Sequence, residues 1–118
     1  MRFGLLLWTL SVILKVASRT NAGFKRYIEK AGVRVLVKTR DGKWGRLFIF
    51  DKGRVRSMRG DDRDFDVALV WSDARTGFSV MTDKRSDAFF NAAADGKLWI
   101  EGMSVYAQWF EDGVKLVM

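Results

Sequence analysis

Apolar and polar positions recur at two periods along this chain, and each change of period marks an element. Residues 3–17 (FGLLLWTLSVILKVA) are apolar on every side of a helix, with Lys15 the one charge. At 1.5 Å per residue the segment spans roughly 22 Å, short of a ~30 Å hydrocarbon core. It reads first as a helix docked on the domain, with a peripheral membrane anchor and a cleaved signal as the alternatives. Lys15 stands where a cleavage region would lie, and Arg19, Lys25 and Arg26 continue the positive run, which holds that end on the cytoplasmic side. Asn21 is placed to cap a second helix whose apolar face is Phe24, Tyr27, Ile28 and Ala31, ended by Gly32. The period then falls to two. Strands are expected over 33–40, 44–50 and 54–59, separated by Asp41-Gly42 and by Asp51-Lys52-Gly53. A fourth runs over 65–71 after the acidic loop 61–64. Ser72-Asp73 and Ser86-Asp87 start two short helices, the second stopping at Gly96. Residues 97–102 form a last strand. Val105, Tyr106, Trp109 and Phe110 have helical spacing, and Asp112-Gly113 breaks or ends that helix, leaving 114–118 as helix or strand.

The second strand differs from the others. Phe48 and Phe50 make one face apolar, and Leu47 and Ile49 make the other apolar too. A half-solvated strand alternates instead. Both faces should therefore be covered, with the N-terminal helix as the natural local cover, or one side should meet a partner.

A chain of 118 residues is one domain, with 1–31 as its apolar and basic helices and 33–118 as the sheet and C-terminal helices. Two helices, four strands, two helices, a strand and a helix make an α+β pattern with helices on one face of an antiparallel sheet. The chain contains no His and no Cys. That excludes thiolate and imidazole metal sites, disulfides, Cys nucleophiles and His-dependent triads, and leaves acid–base work to carboxylates, Lys or Tyr. No phosphate-binding loop, dinucleotide fingerprint or nucleophile elbow is present. No enzyme, metal or cofactor is expected. Asp61, Asp62, Asp64 and Asp66 lack the Gly and terminal Glu of a calcium loop and read as a solvated turn.

The net charge of +7 divides unevenly: residues 1–60 carry fifteen Lys/Arg against three acids, and residues 61–118 six against eleven. A basic N-terminal half favours an anionic partner: a phospholipid surface, nucleic acid or an acidic protein face.

The stretch 65–102 resembles the C-terminal half of the sterol carrier protein 2 family. The matching residues are Asp66, Val67, Leu69, Ser72, Asp73, Ala88, Phe89, Gly96, Lys97, Leu98, Ile100, Glu101 and Gly102. Two departures are Met103, where that family often has an acidic or amide residue, and the loop 82–85, which lacks a Gly-Lys. The resemblance implies a five-stranded, mostly antiparallel sheet covered by helices, with an apolar tunnel between the layers that holds a lipid and does no chemistry on it. Phe48, Phe50, Leu69, Trp71, Phe78, Met81, Phe89, Ile100, Tyr106, Trp109 and Phe110 are the candidate lining for an acyl, sterol-like or isoprenoid ligand. The competing outcome is that these large side chains pack together and leave no room. Phe89 and Phe90 are adjacent on one helix and cannot both face inward. The same resemblance implies a partner enzyme to which lipid is presented; an exposed Leu47–Ile49 face would point to a membrane or homodimer surface, and the basic N-terminal half points to a cytoplasmic chain peripheral on the membrane. The alternative is a nucleic-acid-binding sheet face of Arg34, Lys38, Arg40, Arg46, Arg54, Arg56 and Arg59, with Trp44 available for stacking.

Overall fold

The structure is a computed structural model and describes residues 2–60, 64–83, 85 and 87–117. The elements follow the expected order: α1 (Arg2–Thr20), α2 (Ala22–Ile28), β1 (Gly32–Thr39), β2 (Gly45–Asp51), β3 (Arg54–Arg59), β4 (Val67–Trp71), α3 (Ala74–Met81), α4 (Ala88–Ala94), β5 (Leu98–Gly102) and α5 (Val105–Lys115). One sheet forms in the order β3-β2-β1-β4-β5. Every pairing is antiparallel except the central β1–β4 pair, which is parallel. The two helices N-terminal to the sheet and the three after β4 supply the layer above it.

Register decides what faces that layer. Val35 pairs with Phe48 and with Val67, and Phe50 with Val55, so these side chains share the helix-facing side with Leu69 and Trp71. The helices answer with Phe3, Leu7, Leu10 and Leu14 of α1, Phe24 and Ile28 of α2, Phe89 of α4 and Phe110 of α5, all buried in one cluster. Two hydroxyls buried with α1, Ser11 and Ser18, are satisfied within the helix, donating to the Trp8 and Lys15 carbonyls at 2.6 Å each.

The second face of β2 is covered, but not by α1. That helix lies on the Phe48–Phe50 side. Leu47 instead joins Leu36, Ala68 and Val70 in a small cluster on the opposite face, flanked by Ile49 and Phe65. Neighbouring strands supply that cover.

Strand ends shift by one or two residues from the sequence pattern, β4 beginning at Val67 rather than 65, and two helix ends differ by more. The α2 helix ends at Ile28, and Gly32 opens β1 rather than closing the helix. The α5 helix runs through Asp112-Gly113 to Lys115. Gly113 is helical here because the Tyr27 ring lies against it: an added Cβ would sit 3.1 Å from the ring. The missing side chain is a packing requirement at that position and does not stop the helix.

Candidate functional site

Three of the motif residues that carried the family resemblance, Asp66, Asp73 and Gly102, are structural. Asp73 caps α3 by accepting the Thr76 N–H at 2.7 Å. That hydrogen bond, above all, holds its carboxyl below the ordinary Asp range. Asp66 accepts the Arg34 N–H at 2.8 Å on its side chain and the Met103 N–H at 2.9 Å on its carbonyl. Gly102 has φ +84°, and an added Cβ would lie 2.4 Å from the Asp66 carbonyl oxygen. Asp66 and Gly102 fasten the end of β5 to the start of β4, while the apolar motif residues Leu69, Phe89 and Ile100 belong to the layer between sheet and helices.

All eleven candidate lining residues meet in the layer between sheet and helices. Phe48, Phe50, Leu69, Trp71, Met81, Phe89 and Phe110 are buried there, and Phe78, Ile100, Tyr106 and Trp109 pack against them partly buried. Phe89 faces inward while Phe90 is 69% exposed. Trp109 stacks on Tyr27 at 5.4 Å and meets the Phe50 ring edge-on at 4.9 Å. The Tyr27 hydroxyl donates to the Trp109 carbonyl at 2.9 Å, and burial followed by the Asp112 charge pushes its pKa up. At the far end Trp71 meets Phe89 edge-on at 5.4 Å. The Trp71 indole N–H is buried and has no hydrogen-bond partner among the described residues.

No open tunnel between sheet and helices shows among the described residues. Where Leu14, Phe24, Phe50, Trp109, Phe110 and Val114 meet, a void of about 150 Å³ remains, too narrow for a water-sized guest. Pockets that hold small ligands span about 300–1,000 Å³. The reason for the closure is α1. Its inner face (Phe3, Leu7, Leu10, Leu14, Ala17) fills the space above the sheet. Reading the segment as apolar all round hid the i, i+4, i+7, i+11, i+14 series that separates its buried side.

The outer face of α1 is apolar as well. Leu5, Trp8, Val12 and Val16 are 63, 55, 40 and 53% exposed. By length and composition Phe3–Thr20 could cross a membrane (mean hydropathy 1.3), and 39% of that window is buried against the rest of the chain. Between the C-terminal part of α1 and the β3 edge lies a groove of about 770 Å³ lined by Lys15, Arg19, Arg54 and Arg56.

Sequence reading also missed Glu111, buried in α5. Its Oε2 accepts the Phe89 N–H at 3.2 Å and the Lys115 ammonium at 2.7 Å. Lys115 also donates to the Arg85 carbonyl. This pair ties α5 to the start of α4. A lone Glu four residues before a Lys was the available signal, but such spacing usually marks an exposed helix pair.

The basic strand residues do not form one face. Arg34, Lys38, Arg54 and Arg56 fall on the side away from the helices, while Arg46 and Arg59, paired across β2–β3, fall on the helix side. Arg40 lies over the Trp99 ring at 4.8 Å, and Trp44 packs against Gly4 of α1. Nothing in this arrangement supports a nucleic-acid surface. Of the acidic loop, Asp61 and Asp62 lie outside the described residues, and among the described residues no three His, Cys, Asp or Glu side chains gather as a metal site.

The sequence matches no protein-family model and no curated protein. Solved structures do match it. The UbiJ-SCP2 ubiquinone synthesis protein superposes with a TM-score of 0.69 at 15% identity, covering 92% of this chain and 84% of that one. A crystal structure of sterol carrier protein 2 gives 0.68 at 12% identity, covering 92% and 93%. A Thermus thermophilus protein, described with sterol carrier protein as its suggested identity, gives 0.63 at 10% identity, covering 92% and 86%. The chain therefore has the fold of sterol carrier protein 2.

Proposed function

We propose that this chain binds one long apolar lipid between its sheet and its helices, performs no chemistry on it, and takes it up at the anionic cytoplasmic face of a membrane. The observation that carries the reading is the double-sided character of α1. One apolar face occupies the layer where a ligand would lie, and the other is open to solvent beside a cationic groove. An amphipathic surface of this kind suits an interface between acyl chains and anionic headgroups. When α1 rolls outward, its inner face vacates the layer and its outer face sinks into lipid. The small void between Leu14 and Phe110 marks the seam where displacement starts. Affinity needs no polar contact: ten buried methylenes contribute ~8 kcal/mol, the micromolar range. Among acyl, sterol-like and isoprenoid ligands, the likeness to a ubiquinone synthesis protein favours isoprenoids, with presentation to a partner enzyme.

The test is native mass spectrometry of the purified full chain, together with titration of a fluorescent acyl probe in the presence of anionic vesicles. The reading expects a co-purified lipid or saturable uptake of one probe per chain. Absence of both overturns it.

A further inference from the structure

One polar group inside the apolar layer has nothing to bind. Trp71 ends β4 and is fully buried, its carbonyl accepting the Arg40 N–H at 2.8 Å and its strand pairing it with Leu98. Its indole N–H is, among the described residues, the one buried side-chain polar group without a hydrogen-bond partner. The other buried polar side chains are satisfied: Ser11 and Ser18 by carbonyls of α1, Thr39 by Asp41, and Glu111 by Phe89 and Lys115. Leaving a buried donor unpaired costs stability, and a Phe in the same place would be spared that cost. Buried indoles usually find an acceptor for this reason. Phe89 meets the Trp71 ring edge-on at 5.4 Å, and an aromatic ring accepts an N–H more weakly than an oxygen does. The first turn of α1 closes over the indole. Phe3 and Trp71 come together at Gly77 of α3, where an added Cβ would stand 2.7 Å from the Phe3 ring and 3.0 Å from the Trp71 ring. The absent side chain makes room for both rings. Phe3 belongs to the same inner face of α1 as Leu7, Leu10 and Leu14.

We propose that Trp71 donates its indole N–H to a neutral carbonyl oxygen of the bound lipid, in the place that Phe3 leaves. The inference rests on the lipid-layer reading and gives the lipid a chemical class and an orientation. An indole N–H only donates and a carbonyl oxygen only accepts, so the pair leaves nothing unsatisfied. An alcohol would bring its own unpaired donor into the same apolar surroundings. A free carboxylate would bring a charge, and among the described residues no Lys or Arg is buried to balance it. The oxygen-bearing end therefore lies by β4 and α3, and the hydrocarbon runs toward the seam at Leu14 and Phe110. Phe3 and Leu14 are separated by about 16 Å of helix rise along α1, a distance for a long chain. Apolar burial still supplies most of the affinity; the carbonyl contact selects the ligand and sets which end enters first.

The experiment offers the full chain three ligands of equal chain length from phosphatidylglycerol vesicles: 2-heptadecanone, 2-heptadecanol and heptadecane. Uptake is corrected for the partition of each into the vesicles. After the vesicles are removed, NMR follows the Trp71 indole N–H signal, assigned through the contacts of its ring with Gly77 and Phe89. The expected result is uptake of the ketone about tenfold above the alkane and the alcohol, the size of one hydrogen bond to an otherwise unpaired donor. The N–H signal should move downfield with the ketone and not with the alkane. Trp71→Phe should take up all three alike. Equal uptake of ketone and alkane by wild type, with the N–H signal unmoved, overturns the inference and leaves the lipid-layer reading standing. A ketone preference that persists in Trp71→Phe overturns it as well, since another group then makes the contact, and so does a preference for the alcohol. No uptake of any of the three overturns the inference, and failure of the fluorescent acyl probe in the same preparation overturns the lipid-layer reading with it. If Trp71→Phe does not fold, the wild-type N–H signal and the ratio of ketone to alkane decide the outcome without it.

Discussion

Asp73 stabilises the fold through the hydrogen bonds its carboxylate accepts in the first turn of α3. Because its folded pKa lies below the unfolded one, its contribution is complete above about pH 3.9 and disappears as pH falls through the lower folded value. Asn caps a helix as well and does not titrate. Asp73→Asn should therefore flatten part of the loss in urea midpoint between about pH 4 and pH 2. Asp41 and Asp83, also held below the ordinary range by their hydrogen bonds, account for part of what remains. Superimposable acid limbs for wild type and variant would contradict this role. Glu111 is a larger stake. Truncating it leaves Lys115 without its carboxylate partner and the Phe89 N–H without an acceptor. Glu111→Ala should cost about 1–3 kcal/mol in chemical denaturation, the cost of leaving a buried donor unsatisfied. A cost below about 0.5 kcal/mol, the range of an ordinary surface change, would mean that α4 and α5 are held by apolar packing alone. The Asp73 cap was legible in sequence because capping chemistry is local, whereas Gly32 and Gly113 were misread as helix ends. Glu111 was not legible, because its partners lie on another helix, 22 residues away for Phe89.

At the scale of elements, α1 separates the two kinds of apolar residue that hydropathy treats alike. Leu10 is buried in the layer and Val12 is exposed. Leu10→Ala should lower stability by 2–5 kcal/mol, about the usual range for a core truncation. Trp8→Ser with Val12→Ser should leave the denaturation midpoint nearly unchanged and weaken binding to phosphatidylglycerol vesicles at least about tenfold, each lost large apolar contact being of order 1.5–3 kcal/mol. Vesicle binding equal to wild type would show that the outer stripe is not the docking face. Element order was fully readable, since the switch from a period near 3.6 to a period of two is local. The side of the sheet on which α1 lies was not. Nothing in β2 itself says whether Phe48–Phe50 or Leu47–Ile49 meets the helix; the register with β1, β3 and β4 decides it. The persistence of α5 through Gly113 was hidden for a related reason, since Tyr27 lies more than eighty residues away in sequence.

At the scale of the whole molecule, the charge asymmetry along the sequence becomes an asymmetry in space. The strand order puts β3 and β2, with their arginines, at one edge and β4 and β5 at the other, while α1 runs beside the basic edge. Binding to anionic vesicles should accordingly weaken steeply with salt, as screening over about 8–10 Å predicts. The family resemblance gave the topology and named eleven candidate residues that lie in one layer. It did not give the state of that layer, because whether large side chains enclose a guest or pack on one another depends on where an all-apolar helix settles. In this structure α1 settles inward. The claim that lipid replaces it is tested most directly by hydrogen exchange on the full chain, with and without a bound long-chain lipid at anionic vesicles. The account predicts that amides of α1 lose protection on loading while those of β1 and β4 keep theirs. Loading with α1 protection unchanged would contradict it.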